Sequence, residues 1–80
     1  MTIDLDMPTS LEKRANFRRL AQKRTDYVLE GLRKLANLSS ANYEFEEHEI
    51  EKIFGAIEKG VAEAKGRFGR NLAKRDPFKL

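Results

Sequence analysis

The chain has 80 residues, Lys+Arg 16 against Asp+Glu 13, a formal net charge of +3, and neither Cys nor Trp. That length allows one modest core and no cleft walled by two subdomains, so an elaborate enzyme is not expected. Without Cys there is no disulfide framework, thiolate zinc site or thiol nucleophile, which fits a reducing, cytoplasmic setting.

Residues 1–10 hold Asp4 and Asp6 and no basic side chain, and read as an acidic flexible lead-in. A secretory signal would be basic there, and no apolar run anywhere approaches the roughly 18–20 residues that span a bilayer, so a soluble protein with no membrane partner is expected. From Leu11 to about Asn37, Phe17, Leu20, Ala21, Tyr27, Val28, Leu32 and Leu35 recur at steps of three and four. At about 100° per residue they fill one arc of an amphipathic helix, 11–37. Thr9 or Ser10 is its expected N-cap, with Glu12 or Lys13 in the first turn, and Asn37 followed by Ser39 and Ser40 its stop.

Residues 11–42 carry eight basic residues against Glu12, Asp26 and Glu30, net +5. Arg18, Arg19, Lys23, Arg33 and Lys34 fall opposite the apolar arc. Arg24 falls within it, between Leu20 and Val28. Its stem is expected to pack while the guanidinium reaches the rim or pairs with Glu58 or Glu63 of the second helix; the sharper reading is an inward ligand or partner contact. Gly31 borders this stripe and Gly60 the next, where each either admits close helix approach or is a tolerated surface glycine.

Leu38–Phe45 is a short connection, which makes its flanking helices antiparallel neighbours. Within it Tyr43-Glu44-Phe45 reads as a brief extended segment folding both rings over the end of a hairpin. A second helix is expected over 46–66. Ile50, Ile53, Phe54, Ile57, Val61, Ala64 and Phe68 keep one face, Leu72 extends the series, and Glu46, Glu47 and Glu49 complement the positive end of the helix dipole. Gly66 and Gly69 are expected to fray it after Lys65, and Pro77 forbids continuation. Stepping seven residues from Ile53 meets Gly60 and Arg67, so the pattern is that of a globular bundle and not a long coiled coil.

Residues 43–64 hold seven Glu against Lys52 and Lys59, net −5, and residues 65–80 hold six basic residues against Asp76, net +5. The expected organisation is thus an acidic N-terminus (1–10), a helical hairpin (11–68) and a flexible basic tail (69–80). Two helices bury only part of each stripe, so the all-α hairpin is expected to complete a four-helix bundle by homodimerisation. The expected interface comprises Phe17, Leu20, Arg24, Tyr27, Val28, Ile53, Phe54, Ile57 and Val61.

Chemistry-bearing constellations are sparse. His48 is the only His, flanked by Glu44, Glu47 and Glu51. Helical spacing turns it away from the Ile50 row toward solvent, and no second His or Asp-rich loop completes a coordination shell, so no metal and no cofactor is expected. Ser39 and Ser40 have no base placed by the pattern, and neither a nucleophile elbow nor a phosphate-cradling glycine loop occurs. The tail interleaves Lys65, Arg67, Arg70, Lys74 and Arg75 with Phe68 and Phe78, a composition that tracks phosphates and stacks on bases. With Arg18, Arg19 and Lys23 it offers a weakly sequence-selective nucleic-acid contact, against the plainer reading of a solvated helix face and terminus.

The connection Asn37-Leu38-Ser39-Ser40-Ala41-Asn42-Tyr43-Glu44-Phe45, followed by Lys52-Ile53-Phe54 and Lys65-Gly66-Arg67-Phe68, resembles a family of small uncharacterised bacterial proteins. In that family an N-L-S…N-Y-E-[YF] segment joins two helices, the second carrying K-I-F and ending in K-x-R-F. The likeness spans about residues 17–68, with Lys23-Arg24 also at a corresponding place. This chain departs from the family in having Ala36 for Gly, a connection about one residue shorter and without its Arg, Phe45 for the second Tyr, and Glu46 for a Thr cap. The resemblance implies that connection and hairpin form a unit, and draws attention to Asn37, Asn42, Tyr43 and Arg24; it carries no activity. The function expected is that of a non-enzymatic interaction protein, an adaptor, inhibitor or assembly factor acting through its stripes. The alternative is a nucleic-acid-associated accessory protein.

Overall fold

A computed structural model of the chain describes residues 9–75, with side chains through residue 73. Among these residues the protein is all-α: helix α1 spans Ser10–Ala36, a 3₁₀ turn Asn37–Ser39, and helix α2 Glu47–Arg75. The chain divides into two units between Tyr43 and Glu44, each containing one long helix.

The start of α1 follows from a cap encoded in the sequence. Thr9 is extended (φ −69°, ψ 164°) and its Oγ1 accepts the Glu12 N–H at 3.1 Å, satisfying one of the helix's orphan donors. The Lys13 N–H donates to the Thr9 carbonyl at 2.9 Å and closes the first turn. Glu12 lies at the positive end of the dipole and Arg33 and Lys34 at the negative end. The helix ends at Ala36, one residue before the expected stop, a difference within the usual variation of helix ends. Asn37 keeps a helical backbone, φ −63° and ψ −20°, so the helix tightens into the 3₁₀ turn instead of reversing through a left-handed cap. Ser40 is extended (φ −71°, ψ 163°) and breaks the turn, and the Tyr43 N–H donates to the Ser40 carbonyl at 3.2 Å.

At the start of α2 acids supply both charge and hydrogen bond. The Glu46 carbonyl accepts from the N–H groups of Glu49 (3.0 Å) and Ile50 (3.3 Å), and the Glu46 N–H donates to Glu49 Oε1 at 2.9 Å. This is the half of a capping box that the third helical residue provides. It supplies at Glu46 a satisfied donor where the resembled family has a Thr.

The end of α2 differs from the sequence expectation. The helix continues through Gly66 and Gly69 to Arg75, so residues 67–75 of the expected frayed end and flexible basic tail are helical. Each glycine costs about 1 kcal/mol relative to Ala but removes no hydrogen bond. Arg67, Arg70, Leu72, Ala73 and Lys74 are good helix formers, and the cations among them suit the negative end of the dipole. The remainder of the basic tail (76–80) and most of the acidic lead-in (1–8) lie outside the described residues.

No described residue is buried. The half-buried positions are Leu20, Ala21, Glu30, Leu32 and Leu35 in α1, and Ile50, Ile57 and Gly66 in α2. Most belong to the two apolar arcs, where side chains three and four apart shield one another. Glu30 is covered because Arg33 one turn later pairs with it.

Candidate protein-interaction surface

On α1 the expected interface residues share one arc. Phe17, Tyr27 and Val28 are exposed and Leu20 is half-buried. Arg24 is exposed and interrupts the arc between Leu20 and Val28, so a surface seated on this arc meets a guanidinium amid apolar side chains. Leu29, left out of the stripe by the sequence reading, is half-exposed on its flank.

On α2 the arc is longer. Ile50, Ile53, Phe54, Ile57, Val61 and Ala64 continue without a break into Phe68 and Leu72, because the helix carries the same period past both glycines. Exposure rises along it from 38% at Ile53 through 49% at Val61 to 61% at Leu72. The apolar arc therefore stays open at Phe68 and Leu72, in the last third of α2, where fraying is expected from the sequence.

The cations lie elsewhere. Arg18, Arg19 and Lys23 are exposed on the polar side of α1. Lys59, Ala62, Glu63, Gly66, Arg67 and Arg70 line a shallow depression on α2, on the side away from the apolar arc. The Arg70 guanidinium folds back over Gly66: a Cβ there would meet its Nη1 at 3.6 Å. Lys74 and Arg75 continue the same helix. Glu63 sits inside this basic row, so an anion approaching it meets one carboxylate among three cations.

In the connection, Asn37 ends α1 with its N–H shared among the carbonyls of Arg33, Lys34 and Leu35. Asn42 lies within the turn closed by Tyr43 and Ser40, and the Tyr43 and Phe45 rings are each about half exposed (54% and 51%). His48 Nδ1 lies 3.1 Å from Glu46 Oε2, both side chains 72% exposed. That is a solvated pair at a helix start, facing outward as the spacing predicts. Among the described residues no cluster of three or more His, Asp or Glu side chains has a geometry able to hold a metal ion, and no helix is long and apolar enough to cross a membrane.

The sequence reading missed Glu49 as the acceptor for Glu46, although the i, i+3 spacing of acids just before an apolar run was its signal. No protein-family model, curated protein or solved structure matches the chain. The functional reading therefore rests on the two helix surfaces themselves.

Proposed function

We propose that this chain is a non-enzymatic helical interaction protein, an adaptor, inhibitor or assembly factor that works by docking the apolar arcs of its helices on another protein surface. The observation that carries this reading is the α2 arc, a continuous apolar face from Ile50 to Leu72 on which Val61, Phe68 and Leu72 stay 49–61% exposed. Monomeric proteins seldom leave so long an apolar face open to water, and where one occurs it marks an interaction site. In the arrangement we favour the helices form an antiparallel hairpin and two chains complete a four-helix bundle. Arg24 then lies at the rim, within reach of Glu58; Glu63, the other expected partner, lies on the side of α2 away from the arc. Ile57→Glu tests the reading: it introduces a charge at the centre of the arc and should abolish association while leaving each helix formed. Association unaffected by this variant would refute it.

A second reading is favoured by the continuation of α2 to Arg75, which gives Arg67 and Arg70 fixed helical spacing on one side with Lys59. That row, with Arg18, Arg19 and Lys23, suits a phosphate backbone. Its binding to DNA or RNA should fall steeply with salt, with a slope that shrinks when residues 65–80 are removed. No shift at low salt refutes it.

A further inference from the structure

We propose that the occupant of the α2 apolar arc is α2 of a second copy of this chain, antiparallel, about a two-fold axis through Val61. This rests on the proposed function and names its partner.

The first argument is spacing. Ile50, Phe54, Val61, Phe68 and Leu72 are separated by four, seven, seven and four residues. These five read the same from either end of α2, while Ile53, Ile57 and Ala64 of the same arc fall outside the symmetric set, opposite Gly69, Lys65 and Glu58. A two-fold interface requires each patch to be its own complement, residue i meeting j while j meets i. Reversal about Val61 lays Ile50 against Leu72 of the partner copy and Phe54 against Phe68 of the partner copy, and brings the two Val61 side chains together on the axis. Parallel alignment would instead stack each phenylalanine on itself and leave the charges described next in repulsion.

Charge is the second argument. Along residues 47–58 of α2 four Glu face one Lys, whereas residues 59–75 carry six cations and one Glu. Because the helix extends to Arg75, both groups belong to one element, about 43 Å long at 1.5 Å per residue, acidic at one end and basic at the other. An antiparallel copy sets the acidic half against the basic half twice over. Glu58 and Lys65, three residues before and four after Val61, fall almost opposite each other across the axis. A parallel copy sets like against like along the whole length.

The third argument is area. Ile53, Phe54, Val61, Phe68 and Leu72 keep 38–61% of their surface open and Ile50 and Ile57 are half-buried. Together they offer on the order of 500 Å² per chain, which for two chains matches the roughly 1,000 Å² in total at which a specific interface begins.

The test is distance measurement between nitroxide labels in the full-length chain, which has no native Cys to compete. His48→Cys and Lys59→Cys both lie on the polar side of α2, so labels there spare the seam and share one lateral separation, about 30 Å for neighbouring helices labelled on their outer sides. About a Val61 axis the two copies of position 48 are offset along the helix by about 39 Å and those of position 59 by about 6 Å. The expected distances are therefore about 45–50 Å for His48→Cys and about 30 Å for Lys59→Cys. Equal distances near 30 Å at both sites mean parallel pairing and overturn the proposal. So does an absence of dipolar coupling together with a monomer mass in sedimentation. If such a monomer still binds a foreign protein and loses it on Ile57→Glu, the interaction function stands and only the self-pairing falls.

Discussion

Replacing Gly66 and Gly69 by Ala, singly and together, probes how the last third of α2 is held. Each glycine costs about 1 kcal/mol in a helix interior relative to Ala, mainly through backbone entropy. Both positions have room for the added methyl. A Cβ at Gly66 meets the Arg70 Nη1 at 3.6 Å, an ordinary van der Waals contact with the far end of a flexible side chain, and a Cβ at Gly69 meets nothing within 4 Å. No positive φ occurs at any described glycine, so neither position needs the conformational freedom that only glycine has. The two replacements should together favour helix continuation past residue 66 by about 2 kcal/mol. Since 1.4 kcal/mol is tenfold, protection of the Arg70–Arg75 amides against hydrogen exchange should rise about 30-fold in the double variant and about fivefold in each single one. Helical ellipticity should increase, and amides of α1 should be unchanged. A loss of protection would refute the reasoning, because it would mean that the glycines are needed where another backbone approaches α2. Unchanged protection would refute it equally, since the cost of the glycines would then not limit the helix end.

Four further outcomes are expected. Thr9→Ala removes the acceptor 3.1 Å from the Glu12 N–H and should cost about 1 kcal/mol, read as faster exchange in the first turn of α1, whereas Thr9→Ser should restore it. Glu49→Ala should destabilise the start of α2 by about 0.5–1 kcal/mol, and Glu49→Gln should recover the part owed to the hydrogen bond from Glu46 but not the part owed to charge near the dipole; identical behaviour of the two would leave the hydrogen bond no role. Glu30→Ala should lower stability by no more than about 0.5 kcal/mol, because its ion pair with Arg33 is one turn apart and solvent-exposed; a larger loss in thermal melting would mean the pair is shielded by a partner. Arg24→Ala should destabilise the assembled protein by about 1 kcal/mol more than Arg19→Ala, since its stem interrupts the apolar arc while Arg19 lies on the polar side; equal melting shifts would show that the α1 arc is not a packed surface.

The two helices and their apolar arcs were legible because each is written in local spacing, steps of three and four for one apolar face, and the cap of α1 was legible to within Thr9 or Ser10, of which the structure selects Thr9. The tightening at Asn37 into a 3₁₀ turn was not, because Asn suits a left-handed cap as readily as a helical one, and the choice between them is made by the carbonyls of Arg33, Lys34 and Leu35 competing for its N–H. Partner identity is a different kind of quantity, a match between two surfaces, and only a self-complementary surface writes its partner into its own sequence. The proposed pairing of α2 with its own copy rests on a row of this kind.

The end of α2 shows why a glycine and a proline do not weigh alike as stop signals. Gly66 and Gly69 each impose a finite entropic cost that good helix formers and favourable end charges offset, whereas a proline in a helix interior removes a donor and clashes with the preceding turn. Treating the glycines as a boundary split the basic residues from the helix that bears them and turned their charge into the property of a loose tail. With the helix intact to Arg75, the four acids of its first half and the six cations of its second become the two ends of one element whose apolar face runs between them. A charge placed on a flexible tail attracts any polyanion indifferently. Fixed at one end of an apolar face with the opposite charge at the other, it selects a partner by direction as well as by sign, and an antiparallel copy of the same helix meets both requirements.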